Sequence, residues 1–309
     1  MKNKILALMA TVGLVASAYA FEINENISIN GFIDGSYSDM DTAAGDKGFG
    51  LDEVEVNFLL NVGSVSGAIH VDTDDNQAGT DELFNIEQAH VTYSLENGVS
   101  FTFGQYGSAL GFEREDPAGL YTYSRAYNDA YNLGNVDLGT VHGLTIAYSG
   151  DAYAIALSIE EDGSFGATDD DLDLELAITY TGIENASITV GYFFDNDAQG
   201  GERDIFNLHG SYQVGKAMLA AEFITADDDA AGAGEDAYML LVDYDFTDKL
   251  GGALRYSEYE ISSTQEGEKF TIAPNYAITD SLGAIVEYSV GEENNADADT
   301  FAVELTYTF

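Results

Sequence analysis

The last eleven residues, Asp299-Thr300-Phe301-Ala302-Val303-Glu304-Leu305-Thr306-Tyr307-Thr308-Phe309, split into two alternating faces. One face holds Phe301, Val303, Leu305, Tyr307 and Phe309; the other holds Ala302, Glu304, Thr306 and Thr308. Successive side chains of a β-strand point to opposite sides, so this period of two sets one face in an apolar medium and the other in a polar one. The same sense recurs upstream. Leu172, Leu174, Leu176, Ile178 and Tyr180 oppose Asp173, Glu175, Ala177 and Thr179. Val54, Val56, Phe58, Leu60 and Val62 oppose Glu53, Glu55, Asn57, Leu59 and Asn61. A soluble sandwich alternates in the same way, so other features must decide the medium.

Three features do so. Strand-like segments recur about sixteen times between residue 27 and residue 309, each near the length of a tilted bilayer-crossing strand. Their connections alternate: short turns such as 63–66, 96–98, 214–216 and 247–249 trade places with longer acidic loops at 39–48, 75–82, 161–171, 195–203, 226–236 and 291–298. That is the outer-membrane pattern of short inner turns and long outer loops. Finally, Tyr148, Tyr180, Tyr212, Tyr244 and Tyr276 are spaced 32 residues apart, and Tyr307 follows 31 later. One hairpin plus one loop repeats, returning a tyrosine to the same membrane level as an aromatic girdle. The expected fold is an all-β transmembrane antiparallel barrel of about 16 strands.

Composition agrees. Of 309 residues, 55 are Asp or Glu and 10 are Lys or Arg, a net of −45 that repels phosphate backbones and excludes nucleic acid as a partner. There is no Cys, so neither a disulfide framework nor a Cys-based metal site is possible. With 45% hydrophobic and 12% aromatic residues the chain is too apolar for general disorder. Residues 1–20 carry Lys2 and Lys4, an apolar stretch from Ile5 to Val15 and then Ala18-Tyr19-Ala20, which together read as a signal peptide cleaved after Ala20. The alternative, a membrane anchor, needs a longer apolar run. Cleavage leaves 309 − 20 = 289 residues, one domain over 21–309, with a formal charge of 8 − 55 = −47. No later stretch is long enough for a membrane helix, so a spanning chain must close into a barrel.

One connection breaks the metre. Residues 106–135 form a long insertion holding one of the two prolines, Pro117, and two of the four arginines, Arg114 and Arg125. It follows the fifth strand counted and is therefore the third external loop. The signal peptide, about sixteen strands, enlarged third loop and terminal aromatic resemble a general-diffusion porin of Gram-negative outer membranes. The stretch from Gly104-Gln105-Tyr106-Gly107 through Gly111-Phe112-Glu113 to Leu120-Tyr121-Thr122-Tyr123-Ser124-Arg125-Ala126-Tyr127 is similar to β-barrel porins of the OmpL-like group. The architecture covers the whole mature chain; the more specific motif covers only 104–127. The resemblance implies that loop 106–135 folds into the lumen and narrows it. It further implies that Phe309 is an assembly signal read by the outer-membrane assembly machinery, and that the chain forms a homotrimer in the lipid bilayer.

On that reading Glu113, Arg114, Glu115, Asp116 and Arg125 stand at the constriction, where charged groups select permeants by sign. If the loop were instead an external flap, the same charges would be merely solvated. Tyr121, Tyr123, Tyr127 and Tyr131 either pack the loop against the wall or offer sugars a stacking surface. Arg255, between Leu254 and Tyr256, projects inward as a partner for loop carboxylates or for wall acids such as Glu53, Glu55, Asp173 or Glu175. The inward set is otherwise acidic: Glu53, Glu55, Asp173, Glu175, Asp243, Glu287 and Glu304. Rings of such groups favour cations.

No cofactor or metal site is assigned. His70 and His90 both project inward from adjoining strands, but two His are an incomplete ligand set and read as wall residues. Asp72-Asp74-Asn76 and Asp195-Asp197 echo the start of an EF-hand without its Gly at position 6 in the first case or its Glu at position 12 in either. They leave room only for weak Ca²⁺ or Mg²⁺ binding in acidic loops. No nucleophile elbow, zinc-protease motif, P-loop or dinucleotide fingerprint occurs, so the chain is not read as an enzyme. The functional expectation is passive diffusion of small hydrophilic solutes with a preference for cations. A structural or adhesive barrel with ion-binding loops, and a sugar-selective channel, are the alternatives.

Overall fold

A computed structural model describes residues 20–40, 47–73, 84–113, 116–127, 140–161, 172–195, 203–228, 233–262 and 265–309. Residues 1–19, where the signal peptide is expected, Arg114, Glu115, Tyr131 and most of the acidic loops lie outside the described residues. The first strands are β1 (Phe21–Asn24), β2 (Ile27–Met40), β3 (Lys47–Val62), β4 (Val65–Asp72), β5 (Asn85–Ser94) and β6 (Val99–Gly107). After the third loop come β7 (Thr140–Ser149), β8 (Tyr153–Glu161), β9 (Asp173–Tyr180), β10 (Ala186–Asp195), β11 (Arg203–Val214) and β12 (Ala217–Asp228). The series ends with β13 (Ala233–Asp245), β14 (Leu250–Ser262), β15 (Gln265–Ala277), β16 (Leu282–Glu293), β17 (Ala296–Asp297) and β18 (Thr300–Thr308). Among the described residues the only helical element is a single 3-10 turn, Pro117–Gly119, and no helix is long and apolar enough to cross a membrane.

From β2 to β16 each strand pairs antiparallel with the next. β18 then pairs with both β16 and β2, from Thr300↔Met40 to Thr308↔Phe32. The sixteen long strands therefore form a closed antiparallel barrel with no free edge, the one β architecture that satisfies every backbone polar group inside lipid. β1 completes the seam. Phe309 exchanges two 3.0 Å backbone hydrogen bonds with Gly31, and below it Phe21 and Glu22 pair with Ile29 and Ser28. β1 and Phe309 thus lie end to end along one edge of β2. Gly31 is needed there. A Cβ would sit 2.2 Å from the Glu55 carbonyl oxygen and 2.9 Å from the Phe309 ring.

Burial is inverted relative to a soluble protein. In β9 the acids and small residues Asp173, Glu175, Ala177 and Thr179 are buried, while Leu174, Leu176 and Ile178 are exposed. In β18 Ala302 and Glu304 are buried and Phe301, Leu305 and Tyr307 are exposed. The apolar face is the outer one, and lipid is the medium that removes its cost. Tyr148, Tyr180, Tyr212, Tyr244, Tyr276 and Tyr307 all stand exposed near the short-turn ends of their strands. Six residues earlier on three of those strands stand Tyr238, Phe270 and Phe301, also exposed. At 3.3–3.4 Å per residue this second aromatic level is about 20 Å along the strand from the first.

The outer connections differ from the sequence expectation at several places. The long loop expected over 226–236 is mostly ladder, because β12 runs to Asp228 and β13 begins at Ala233. The expected loop over 291–298 is likewise shortened, since β16 reaches Glu293 and its end folds back through β17. Acidic side chains do not stop backbone pairing once the strands leave lipid, so the ladder extends above the membrane.

Candidate functional site

Described residues of the segment between β6 and β7 hydrogen-bond to side chains of the wall strands. At its start Ser108 Oγ donates to Glu175 of β9, and the Ala109 amide donates to the same carboxylate at 2.8 Å. The Gly111 amide reaches Asn207 of β11, and the Phe112 amide donates to Glu222 of β12 at 2.8 Å. Further along, Ser124 donates through its amide and its hydroxyl to Glu287 of β16. Lys269 of β15 donates to the Arg125 carbonyl at 2.8 Å, and Ser36 of β2 donates to the Tyr123 hydroxyl oxygen. Residues 108–112 and 123–125 are thus bonded to wall strands on widely separated arcs of the barrel.

At the centre of these contacts is Arg255. One guanidinium nitrogen donates to both oxygens of Glu113, at 2.8 and 3.0 Å, and to Thr122 Oγ1 and the Ser124 carbonyl. The other donates to Ser124 Oγ and the Arg125 carbonyl. Arg255 is 1% exposed. Of the partners open to it from sequence, the loop carboxylate Glu113 is the one it takes. The Glu113 carboxylate is buried, ion-paired with Arg255 and also accepts from the Ala126 amide at 2.6 Å.

Apolar packing reinforces the polar ties. Leu110 is fully buried among Phe193, Ile205, Ile224 and Tyr259, with Tyr127 against them. Phe112, Tyr121 and Tyr127 pack on a second inward cluster of Met218, Met239 and Leu241. Tyr121 and Tyr127 thus pack against the wall, and burial pushes the Tyr127 hydroxyl above its ordinary range. Gly191 of β10 makes room for this arrangement, since a Cβ there would lie 2.0 Å from Leu110 Cδ2.

The opposite arc is acidic. Glu55, Glu304 and Asp34 are buried on the inward face of β3, β18 and β2, with Glu53 half-buried beside Glu55. Asp116 from the loop approaches Glu53 and Glu55, and Arg125 is a charged neighbour of Glu53. Glu287, Glu175 and Asp173 are buried on other strands, and Asp243 is half-buried toward the short-turn end of β13. Sequence reasoning omitted further inward groups. Lys269, Glu160, Glu222 and Asp34 share the parity of buried neighbours such as Thr271, Ser158, Ala220 and Phe32, so alternation alone could have found them. Glu87 and Asp52 carry no such signal. Each sits where the register shifts by one residue, between His70 and Val71 in β4–β5 and between Asp34 and Gly35 in β2–β3.

With this geometry, the family model described as "Putative beta-barrel porin-2, OmpL-like" matches residues 41–309. No curated protein sequence is similar enough to match. Among solved structures, Salmonella typhi OmpF in complex with daunomycin is similar with a TM-score of 0.74 at 14% identity, covering 94% of this chain and 100% of that one. An anion-selective porin from Comamonas acidovorans has a TM-score of 0.68 at 14% identity, covering 92% and 99%. A trimer form of Vibrio cholerae OmpT has 0.66 at 14% identity over 92% and 99%. At these identities the likeness concerns the fold.

Proposed function

The chain belongs to the OmpL-like β-barrel porins, outer-membrane channels for passive diffusion, and from that premise we propose that its pore prefers cations. The observation that carries the proposal is the distribution of inward charge. Arg255 is bound to Glu113 and Lys269 to the Arg125 carbonyl, whereas Asp34, Glu53, Glu55 and Glu304 share one arc with Asp116. Low-dielectric walls focus the field of such a group into the lumen, concentrating cations and excluding anions. Residues 106–135 serve as the constriction loop. Asp116 and Arg125 border the permeation path, and Arg114 and Glu115 belong to the same segment. Its wall is Glu53, Glu55, Asp173, Glu175, Asp243, Arg255, Glu287 and Glu304. The chain acts as a channel and not as an enzyme. The signal peptide is removed after Ala20, consistent with Phe21 opening the first strand. Phe309 is the assembly signal and the barrels associate as trimers, as the Vibrio protein does in one of its forms. Reversal potentials across planar bilayers under a KCl gradient test the selectivity; an anion preference would refute it.

A further inference from the structure

We infer that His70, Glu55 and Glu87 form a site on the barrel wall for a borderline divalent cation such as zinc. The three residues come from the adjacent strands β4, β3 and β5, and their donor atoms lie within 4.8 Å of one another. His70 Nδ1 is 3.9 Å from Glu55 Oε1 and 3.8 Å from Glu87 Oε2. These separations are too long for hydrogen bonds. With metal–ligand bonds of about 2.0–2.1 Å, tetrahedral donors stand roughly 3.3–3.4 Å apart, so a bound ion draws these groups together by small rotamer adjustments.

Independent features point to a ligand. His70 is 3% exposed, and neither of its ring nitrogens has a hydrogen-bond partner among the described residues. A buried polar group left unpaired costs free energy, and a cation accepting its lone pair removes that cost. Backbone geometry adds to this. Glu87 has the outward parity of Ala89 and Val91, yet the register shift beside His70 leaves it unpaired in the ladder and brings its carboxylate to the imidazole. Bulges of this kind re-aim a side chain next to functional sites. Asn57 donates to Glu55 Oε1, the outer-shell bond that orients a ligating carboxylate. Glu87 keeps part of its side chain accessible, at 28%, which gives an ion its way in. Two carboxylates and one imidazole suit zinc and its transition-metal neighbours better than calcium, which takes six to eight oxygens.

The test is calorimetric titration of zinc into the full mature barrel, folded in detergent micelles, with millimolar calcium present to occupy the many exposed acids. One zinc per chain is expected, and the variants His70→Gln and Glu87→Gln should each weaken binding at least tenfold, while Asp227→Asn should not. Cobalt bound in place of zinc should show visible bands that His70→Gln abolishes. Heat-modifiable gel mobility checks that each variant is folded, and the partly exposed Glu87 provides the reading if His70→Gln fails to fold. Calcium displacing zinc at comparable concentration, or equal zinc affinity in a folded variant, would overturn the inference. Binding is read without conductance, so the result stands apart from the selectivity proposal.

Discussion

Glu113→Gln isolates the tie between loop and wall. The substitution keeps the side chain's size and removes its charge, leaving Arg255, 1% exposed, as a buried cation without a counter-ion. Removing one partner of a buried ion pair costs about 3–5 kcal/mol, far more than replacing both with apolar groups. At 1.4 kcal/mol per tenfold, that shifts the docked-to-released ratio of the loop by roughly two to three and a half orders of magnitude. Hydrogen bonds to Glu175, Glu222 and Glu287 do not involve Glu113 and still oppose release, so the loop should open transiently and the barrel should stay folded. Trypsin reads this at Arg125, whose side chain and carbonyl are engaged in the parent by Glu113, Arg255 and Lys269. Glu113→Gln should be cut there much faster than the parent and should show noisier single-channel current. The double variant Glu113→Leu, Arg255→Met should recover part of the resistance, held back by the Ala126 amide, which loses the Glu113 carboxylate as its acceptor. Equal protease resistance and unchanged current in Glu113→Gln would refute the claim that this pair fastens the loop.

Further outcomes follow from close approaches. Gly31→Ala forces a methyl against the Glu55 carbonyl and the Phe309 ring at the seam, and overpacking of this kind costs about 1–3 kcal/mol; the heat-modifiable gel shift should occur at lower temperature, and an unchanged transition would count against the seam. Leu110→Ala removes a fully buried side chain from the inner cluster and should lower stability by about 2–5 kcal/mol, measurable by urea unfolding in micelles. Gly191→Val should disturb the same contact from the wall side, and a neutral result for both would show that the loop is held by its polar ties alone. Cross-linking in mild detergent should yield trimers; monomers alone would contradict the proposed assembly.

The barrel was legible because its alternation has one sense from Val54 to Phe309 and because tyrosines return at a fixed interval. Those signals depend on backbone period and membrane depth, which local sequence encodes. The inner packing was hidden for a physical reason. Phe193, Ile205, Ile224, Met239 and Leu241 occupy lumen positions that alternation assigns to polar residues. Their apolar character makes sense only once Leu110 and Phe112 cover them. The run Tyr238-Met239-Leu240-Leu241-Val242 was the available clue, since a strand apolar on both faces is covered on both. Arg255 was readable as inward, but choosing Glu113 over the wall acids requires the path of the loop. Glu87 and Asp52 could not be read at all, because a one-residue register shift reverses parity without changing composition. The loop expected at 226–236 failed because acidity marks exposure to water and says little about where a ladder ends.

The most direct test of the account is the reversal potential of the purified protein under a KCl gradient, with Glu53, Asp116 and Glu304 replaced together by their amides in one variant and Asp227, Asp228 and Asp229 in another. External charges beyond about 8 Å of the narrowing are screened at physiological salt, so the lumen variant should lose most of a cation preference that the outer variant keeps. The parent's preference should also weaken as salt rises. Anion preference in the parent, or a larger loss in the outer variant, would contradict the assignment of selectivity to the acidic arc of the wall.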